Sequence, residues 1–220
     1  TMNTNSKTQG LMLAALLLAP LRGNAQELLS APPRDIPVCV INDSQAPVHQ
    51  ALILDTLASV SAEYSKNTGI SFQTIVVTSY STDYTAWPLD LGPKLKGACP
   101  PEAEVRLVFS NQRVTRNDLD YSPDKQEGNI NDEFAGQTHP YFGFIVLLNV
   151  EARAKRSDAA GHPAIETALK HEIGHLFEVE HAEELNSFMH TPSSLSNGGW
   201  TIQLIEAILK NKDKRWFPRA

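Results

Sequence analysis

Apolar positions in the first half of the chain form two patterns: continuous runs, which are typical of buried strands, and a helical spacing. Short runs of β-branched and aromatic residues predict strands at 36–42, 70–78 and 105–110. Residues 46–67 place apolar side chains at roughly helical spacing, which predicts a long helix with Pro47 in its first turn. A strand, a helix and a strand in this order form a βαβ unit, so we expect a parallel sheet.

The second half of the chain predicts two more strands and two more helices. Residues 142–150 are the most apolar run after the N-terminal segment, and residues 134–140 predict a short, half-exposed strand. Helical spacing returns over 163–177 and again over 200–210. Together with the βαβ unit, these elements predict one α/β domain.

Two stretches are expected to be irregular. Residues 79–102 contain four prolines, and residues 111–132 are polar and rich in turn-forming residues. The second stretch contains an oxygen-rich cluster, a candidate Ca²⁺ site whose spacing matches no EF-hand loop: Asp124, Glu127, Asn129, Asn131 and Asp132. A solvated turn is the alternative interpretation of this cluster.

Length and composition narrow the class of protein. The 220 residues are enough for one domain of ordinary size, and no repeat or linker divides them. With 41% hydrophobic and 20% charged residues, the chain is neither disordered nor collagen-like, and no apolar stretch is long enough to span a membrane. The net charge of −6 gives no support to binding of nucleic acid or of an anionic membrane surface.

Residues 1–25 are typical of a secretory signal peptide. They contain no Asp or Glu, and Lys7 precedes an apolar run at 11–18 that is too short to span a bilayer. The small residues at 23–25 (Gly-Asn-Ala) then match a signal-peptidase site. We therefore expect an exported protein, secreted or periplasmic, with residues 26–220 as its folded domain. A buried N-terminal helix is the alternative.

The two cysteines are interpreted in the light of export. Cys39 and Cys99 lie 60 positions apart, which matches no zinc-finger or redox spacing. In an oxidising compartment two such residues are expected to form a disulfide. Two buried free thiols, or Cys39 as an inhibitory metal ligand, are the alternatives.

A candidate metal site lies in the predicted helix over 163–177. His171 and His175 are four residues apart on one face of this helix, so both rings can reach one zinc ion at about 2.0–2.1 Å. Glu172 lies about 100° further round the helix, which suits contact with a water molecule rather than ligation. Another side of the helix carries an apolar stripe that can bury against the sheet: Ile165, Leu169, Ile173 and Leu176.

The third ligand that zinc requires is expected to be His181. It follows His175 by six residues, which would not stay on the same face of a continuing helix. The spacing therefore predicts that the helix ends near residues 177–178 and that the chain turns back. If the turn fails, nearby carboxylates are the alternative ligands: Glu180, Glu183 and Glu184.

The segment HEIGHLFEVEH at 171–181 resembles the signature of the metzincin zinc endopeptidases, H-E-x-x-H-x-x-G-x-x-H. Met189, in Ser-Phe-Met-His eight residues after His181, resembles the family's Met-turn, and the short gap is closest to the matrixin branch. Thr191 stands where the astacin branch carries a zinc-facing tyrosine. Glu178 departs from the pattern: it replaces a glycine in a left-handed conformation, which costs about 1 kcal/mol or more.

This resemblance implies both a fold and a mechanism. The fold would be a twisted, mostly parallel sheet of about five strands with an antiparallel edge strand at 134–140, a long N-terminal helix, an active-site helix and a C-terminal helix. The three histidines would bind one catalytic Zn²⁺, Glu172 would act as general base toward water, and Met189 would form an apolar floor. A peptide or protein substrate would lie extended along the edge strand, and we expect a monomeric endopeptidase.

Two other classes of protein stay open. The first is a non-catalytic, zinc-binding interaction or inhibitor module on the same fold. Glu172 argues against it, because a site that only binds metal needs no general base. The second is an interaction domain with a structural zinc, but structural sites usually have four protein ligands and favour cysteine.

Overall fold

The fold is described from a computed structural model. The described residues are 32–81, 88–112, 136–190 and 198–216. The predicted signal peptide and the oxygen-rich cluster that suggested a Ca²⁺ site lie outside them, and so does Thr191. The described residues from Pro33 onward belong to one structural unit.

Within the described residues, five strands form one sheet: β1 (Arg34–Asp43), β2 (Ile70–Tyr80), β3 (Val105–Phe109), β4 (Gly136–His139) and β5 (Phe144–Leu147). Their order across the sheet is β2-β1-β3-β5-β4. Strands β2, β1, β3 and β5 run parallel to one another, and β4 pairs antiparallel with β5 at the edge of the sheet. The predicted mostly parallel sheet with an antiparallel edge strand is confirmed.

The described part of the chain forms five helices: α1 (Gln50–Thr68), α2 (Pro88–Lys96), α3 (Val150–Ala154), α4 (Ala164–Leu176) and α5 (Ile202–Lys210). Helix α1 begins at residue 50 rather than at residue 46, so Pro47 precedes it. The cause is Asn42, whose side chain binds both the N–H (2.9 Å) and the carbonyl (2.8 Å) of Val48 and holds the connecting segment outside the helix. Gly69 ends α1 in the left-handed conformation that glycine favours.

Helix α2 differs most from the sequence prediction, which expected residues 79–102 to be irregular. Pro88 begins the helix, a position where a missing N–H does no harm. Leu91 and Leu95, one turn apart, are fully buried against the sheet. The prediction missed this apolar pair because prolines surround it and Pro93 lies inside the helix.

The central strands β1, β3 and β5 are largely buried on both faces, as expected of parallel strands. Alternate residues of β1 belong to two hydrophobic clusters. Val38 and Val40 pack in the cluster that contains α1 and α4, whereas Cys39 and Ile41 pack in the cluster that contains α2. Cys39 is bonded to Cys99, which follows α2, so the predicted disulfide is confirmed and ties β1 to that segment.

Helix α4 packs beside α1 on one face of the sheet. Its predicted apolar stripe is buried: Ile165, Leu169, Ile173 and Leu176. The hydroxyl of Tyr64 in α1 donates a hydrogen bond to the carbonyl of Lys170 at 2.9 Å, which fixes the helices against each other. The polar side of α4 is thereby directed to β4, where Thr138 contacts Glu172. No helix of the described chain has the length and apolar character that crossing a membrane requires.

Candidate metal centre

Three imidazole rings converge near the C-terminal end of α4. His171 and His175 belong to the helix, and His181 belongs to the segment that follows it. The Nε2 atom of His175 lies 3.1 Å from Nε2 of His171 and 3.2 Å from Nε2 of His181. All three ligand atoms lie within 4.8 Å of one another, and in the described part of the chain no further His, Cys, Asp or Glu joins the group.

A tight turn after Leu176 brings His181 back to the helix. Glu178 adopts φ = 62°, the left-handed conformation. The N–H of Glu178 then donates to the carbonyl of His175 at 3.0 Å, and the N–H of Val179 donates to the carbonyl of Gly174 at 3.2 Å. The predicted bend is present, and a glutamate occupies a conformation that glycine adopts more easily.

Two main-chain carbonyls orient the rings of α4. Nδ1 of His171 lies 2.9 Å from the carbonyl oxygen of Phe188, and Nδ1 of His175 lies 2.8 Å from that of Val179. A carbonyl oxygen only accepts, so in a neutral ring Nδ1 carries the proton and Nε2 presents its lone pair. Two lone pairs 3.1 Å apart repel each other unless a cation joins them. Zinc fits, because tetrahedral ligands at about 2.0–2.1 Å from the ion lie roughly 3.3 Å apart.

The environment of the rings favours their neutral form. Burial, reinforced by the neighbouring His175 ring, lowers the pKa of His171 to about 4. Burial also lowers the pKa of His175 and of His181. A neutral imidazole offers a lone pair to a metal ion at pH values where an ordinary histidine is partly protonated.

Glu172 follows His171 in α4 and does not belong to the histidine group. The residue is 7% exposed, and its Oε2 atom accepts a hydrogen bond from the hydroxyl of Thr138 at 2.5 Å. Burial raises the pKa of Glu172 to about 7, against the hydrogen bond from Thr138, which lowers it. A carboxylate with a pKa near neutrality can both accept and release a proton.

Met189 packs against α4 at Gly174. The residue is fully buried, and a Cβ atom added at Gly174 would lie 2.3 Å from its sulfur. Only glycine therefore fits at residue 174 while Met189 keeps this position. The carbonyl of Met189 also accepts a hydrogen bond from the N–H of Ala182 at 3.0 Å, which holds the residue after His181.

An open cleft of about 510 Å³ lies beside His175 and His181. Its lining comes from β4, the turn after β4, helix α4 and the segment after α4: Thr138, Pro140, His175, Glu178, Val179, Glu180 and His181. One wall of the cleft is therefore part of the edge strand of the sheet. Two other nearby histidines stay outside the group, since His139 stacks on Phe144 and Nδ1 of His190 lies 3.2 Å from the carbonyl oxygen of Ala182.

Several groups of this site carried no usable signal in the sequence. The carbonyls of Phe188 and Val179 are main-chain groups, which any residue type would supply. Thr138 lies 34 positions from Glu172, so their contact exists only once β4 and α4 are packed. Gly174 stands inside the His-Glu-x-x-His segment, but its role depends on where Met189 packs.

Comparison with solved structures gives the chain a metallopeptidase fold. Archaemetzincin from Methanopyrus kandleri is similar with a TM-score of 0.55 and 16% sequence identity, over 82% of this chain and 97% of that one. Metalloproteinase-II from Bacteroides fragilis is similar with a TM-score of 0.51 and 10% identity, over 83% of this chain and 55% of that one. This chain thus spans about half the length of the second protein. No protein-family profile and no curated protein sequence matches the chain.

Proposed function

We propose that this protein is an exported zinc-dependent endopeptidase of the metzincin type, with His171, His175 and His181 as its zinc ligands. The observation that carries the proposal is the convergence of their Nε2 atoms, 3.1 and 3.2 Å apart, in rings whose neutral form is favoured. The similar structures are of a metalloproteinase and an archaemetzincin, which agrees with this assignment. The narrower matrixin-like assignment rests on the short interval between His181 and Met189.

Glu172 is the general base of the proposed reaction. Bound zinc would act as a Lewis acid and would lower the pKa of water to about 7. The carboxylate of Glu172, next to the rings and buried, takes the proton from the attacking water and delivers it to the leaving amine. In the metal-free protein burial raises the pKa of Glu172 to about 7, which favours uptake of that proton.

The edge strand β4 is the proposed binding surface for substrate. An extended peptide adds main-chain hydrogen bonds to an exposed strand edge whatever its side chains are. Such pairing needs main chain on both sides of the cleaved bond, which favours an endopeptidase and a protein or peptide substrate. We propose that the protein acts as a monomer.

Export is supported by the leader-like residues 1–25 and by the disulfide of Cys39 with Cys99. Disulfides persist in oxidising compartments, which are extracellular or periplasmic. We therefore assign the folded domain to residues 26–220 after removal of the signal peptide.

Two alternatives fit less well. In a non-catalytic zinc-binding module, a buried carboxylate next to the metal site would lower stability without a function in return. A structural zinc would be expected to have four protein ligands, whereas the group found in the described residues has three. Both cysteines are already joined to each other, so neither supplies a fourth ligand.

The decisive experiment compares the wild type with Glu172→Ala and with the isosteric Glu172→Gln. Zinc content is measured on the purified proteins, and cleavage is measured on a fluorescently labelled, denatured protein with and without a chelator. We expect one zinc per chain in all three proteins, and a loss of cleavage by about 10²–10⁴-fold in both variants. Equal cleavage by wild type and variants, or zinc binding without any cleavage by the wild type, would instead favour the non-catalytic module.

A further inference from the structure

One face of β4 contacts Glu172 through two residues at alternate positions. The hydroxyl of Thr138 lies 2.5 Å from Oε2 of Glu172 and 2.9 Å from its main-chain carbonyl oxygen. A Cβ atom added at Gly136 would lie 3.1 Å from Cγ of Glu172, closer than ordinary van der Waals contact. Residues two apart on a strand share a face, so Gly136 makes room for the side chain whose carboxylate Thr138 binds.

We propose that this face of β4, which we call the base-contact face (Gly136 and Thr138), positions the carboxylate of Glu172 for proton transfer. Thr138 is thus a positioning residue of the reaction. The inference rests on the proposed peptidase function, and it adds to the metal site a residue that lies outside the His-Glu-x-x-His segment.

The hydrogen bond from Thr138 fixes the carboxylate end of the buried Glu172 side chain. A hydroxyl has one proton, and a bond of 2.5 Å to a carboxylate is in the range of charge-assisted O–H···O⁻ contacts. In the described part of the chain, no other group donates a hydrogen bond to this carboxylate. With Oε2 held by Thr138, the second oxygen is left for the reacting water.

Glycine at residue 136 provides room for the same geometry. A Cβ atom there would also lie 3.0 Å from the side chain of Leu147 and 3.0 Å from the carbonyl oxygen of Val146. Both belong to β5, which pairs with β4 in register, Gly136 opposite Leu147. A larger residue would push β4 away either from β5 or from Glu172. Because β4 also lines the cleft, the surface that binds substrate and the surface that orients the base belong to one strand.

The test compares Thr138→Val, which keeps the β-branched shape but removes the hydroxyl, with Thr138→Ser, which keeps the hydroxyl. In the zinc-loaded protein we expect Thr138→Val to lower kcat by roughly 10- to 100-fold, with KM changed less than about twofold, because a misplaced catalytic group slows chemistry more than binding. We expect Thr138→Ser to restore most of kcat. Thr74→Val, on the exposed part of β2, controls for the loss of a threonine hydroxyl elsewhere in the sheet.

A second readout does not depend on turnover. Acetohydroxamate is titrated into the Co²⁺-substituted proteins and its binding is followed by the visible absorption of the metal. Its N–OH group can donate to Glu172, so we expect weaker binding by roughly tenfold in Thr138→Val and unchanged Co²⁺ affinity. We expect Gly136→Ala to weaken hydroxamate binding as well. If Thr138→Val does not fold, Thr138→Ala takes its place in both measurements.

The outcomes separate the two proposals. If the wild type binds acetohydroxamate but cleaves no substrate, the peptidase function is wrong, and the base-contact face is judged by the hydroxamate affinities alone. If Thr138→Val keeps both the wild-type kcat and the wild-type hydroxamate affinity, Thr138 does not position Glu172 and the inference is overturned. A loss of Co²⁺ affinity equal to the loss of kcat would also overturn it, because the hydroxyl would then act on the metal site as a whole.

Discussion

Gly174 shows how a residue with no side chain can shape the metal site. A Cβ atom at this position would lie 2.3 Å from the sulfur of Met189 and 3.4 Å from the ring of Phe188. Phe188 is the residue whose carbonyl orients His171, so a change at Gly174 reaches the ligand through two neighbours. The packing between α4 and the segment 187–189 therefore sets the position of one ring.

Gly174→Ala is expected to weaken zinc binding. The new methyl group displaces Met189, and overpacking of a buried contact costs about 1–3 kcal/mol. We expect the zinc dissociation constant to rise by about tenfold or more, measured by competition with a chromophoric chelator. Gly97→Ala, where a Cβ atom meets nothing within 4 Å, is the matched control and should leave zinc affinity unchanged. Wild-type affinity in Gly174→Ala would show that Met189 does not support the ligands.

Glu178 combines an unfavourable backbone conformation with an ion pair. Its φ of 62° costs a non-glycine residue about 1 kcal/mol, and its carboxylate lies 2.6 Å from Nζ of Lys214. The Glu178 side chain is 58% exposed, so solvent reduces the value of the pair to a fraction of 1 kcal/mol. Backbone strain should therefore exceed the ion pair in magnitude.

Glu178→Gly is expected to stabilise the protein by roughly 0.5 kcal/mol, because relief of strain exceeds the lost ion pair. Urea unfolding of the metal-free protein measures this change, and Lys214→Ala measures the ion pair without altering the backbone. If Glu178→Gly lowers the free energy of unfolding by more than about 1 kcal/mol, the ion pair contributes more to stability at this turn than the backbone strain costs.

The C-terminal segment after α5 binds the end of α4. The side-chain amide of Asn211 donates to the carbonyl of Phe177 at 2.8 Å, and the indole N–H of Trp216 donates to the carbonyl of Leu176 at 3.2 Å. The last carbonyls of a helix have no partner within the helix, so these side chains supply one. The turn that leads to His181 is thus attached to residues 34 and 40 positions further along the chain.

Asn211→Ala is expected to destabilise the fold by about 1–3 kcal/mol, because the carbonyl of Phe177 loses its hydrogen-bond donor. Asn67 is a matched control, since its amide binds the carbonyl of Glu63 within its own helix at 2.8 Å. Asn67→Ala should change stability little, because alanine is the better helix former. Urea unfolding of the two variants gives the comparison, and equal effects would show that the end of α4 does not depend on Asn211.

The elements of the fold were predictable to different degrees. The strands β1, β2 and β3 follow from continuous apolar, β-branched runs, and helices α1 and α4 follow from the helical spacing of their apolar positions. Helix α2 does not, since its two buried leucines, Leu91 and Leu95, are separated by Gly92, Pro93 and Lys94 and look like part of a proline-rich loop. The start of α1 depends on the contact of Asn42 with Val48, which no propensity describes. The three histidines were identified by spacing, whereas Thr138 depends on how β4 meets α4.

Ionisation of Glu172 connects the site to the stability of the whole molecule. The pKa of Glu172 is raised from 4.5 to about 7 on folding, chiefly by burial. At pH values between 4.5 and about 7, Glu172 keeps a proton in the folded protein that it has lost in the unfolded chain. The contribution of Glu172 to stability therefore falls as the pH rises through this range. His171 acts in the opposite direction: its lowered pKa contributes stability that is present above about pH 6.5 and is lost as the pH falls toward 4.

Glu172→Gln is expected to be increasingly more stable than the wild type as the pH rises from 4.5 to 7. The variant has no carboxylate to ionise in a buried position, and the difference should reach about 2–3 kcal/mol near pH 7. Urea unfolding of both metal-free proteins at several pH values measures it, and the contribution of His171 is common to both. Glu183→Gln, at an exposed position, controls for the loss of one charge. A difference that does not change with pH would contradict the raised pKa.

The measurement that tests the metal site most directly is zinc X-ray absorption spectroscopy of the purified, zinc-loaded protein and of His181→Ala. The account predicts one zinc per chain with three imidazole nitrogens and one further light-atom ligand at about 2.0–2.1 Å, and one imidazole fewer in the variant. A sulfur ligand in the wild type, or an unchanged number of imidazoles in His181→Ala, would contradict it.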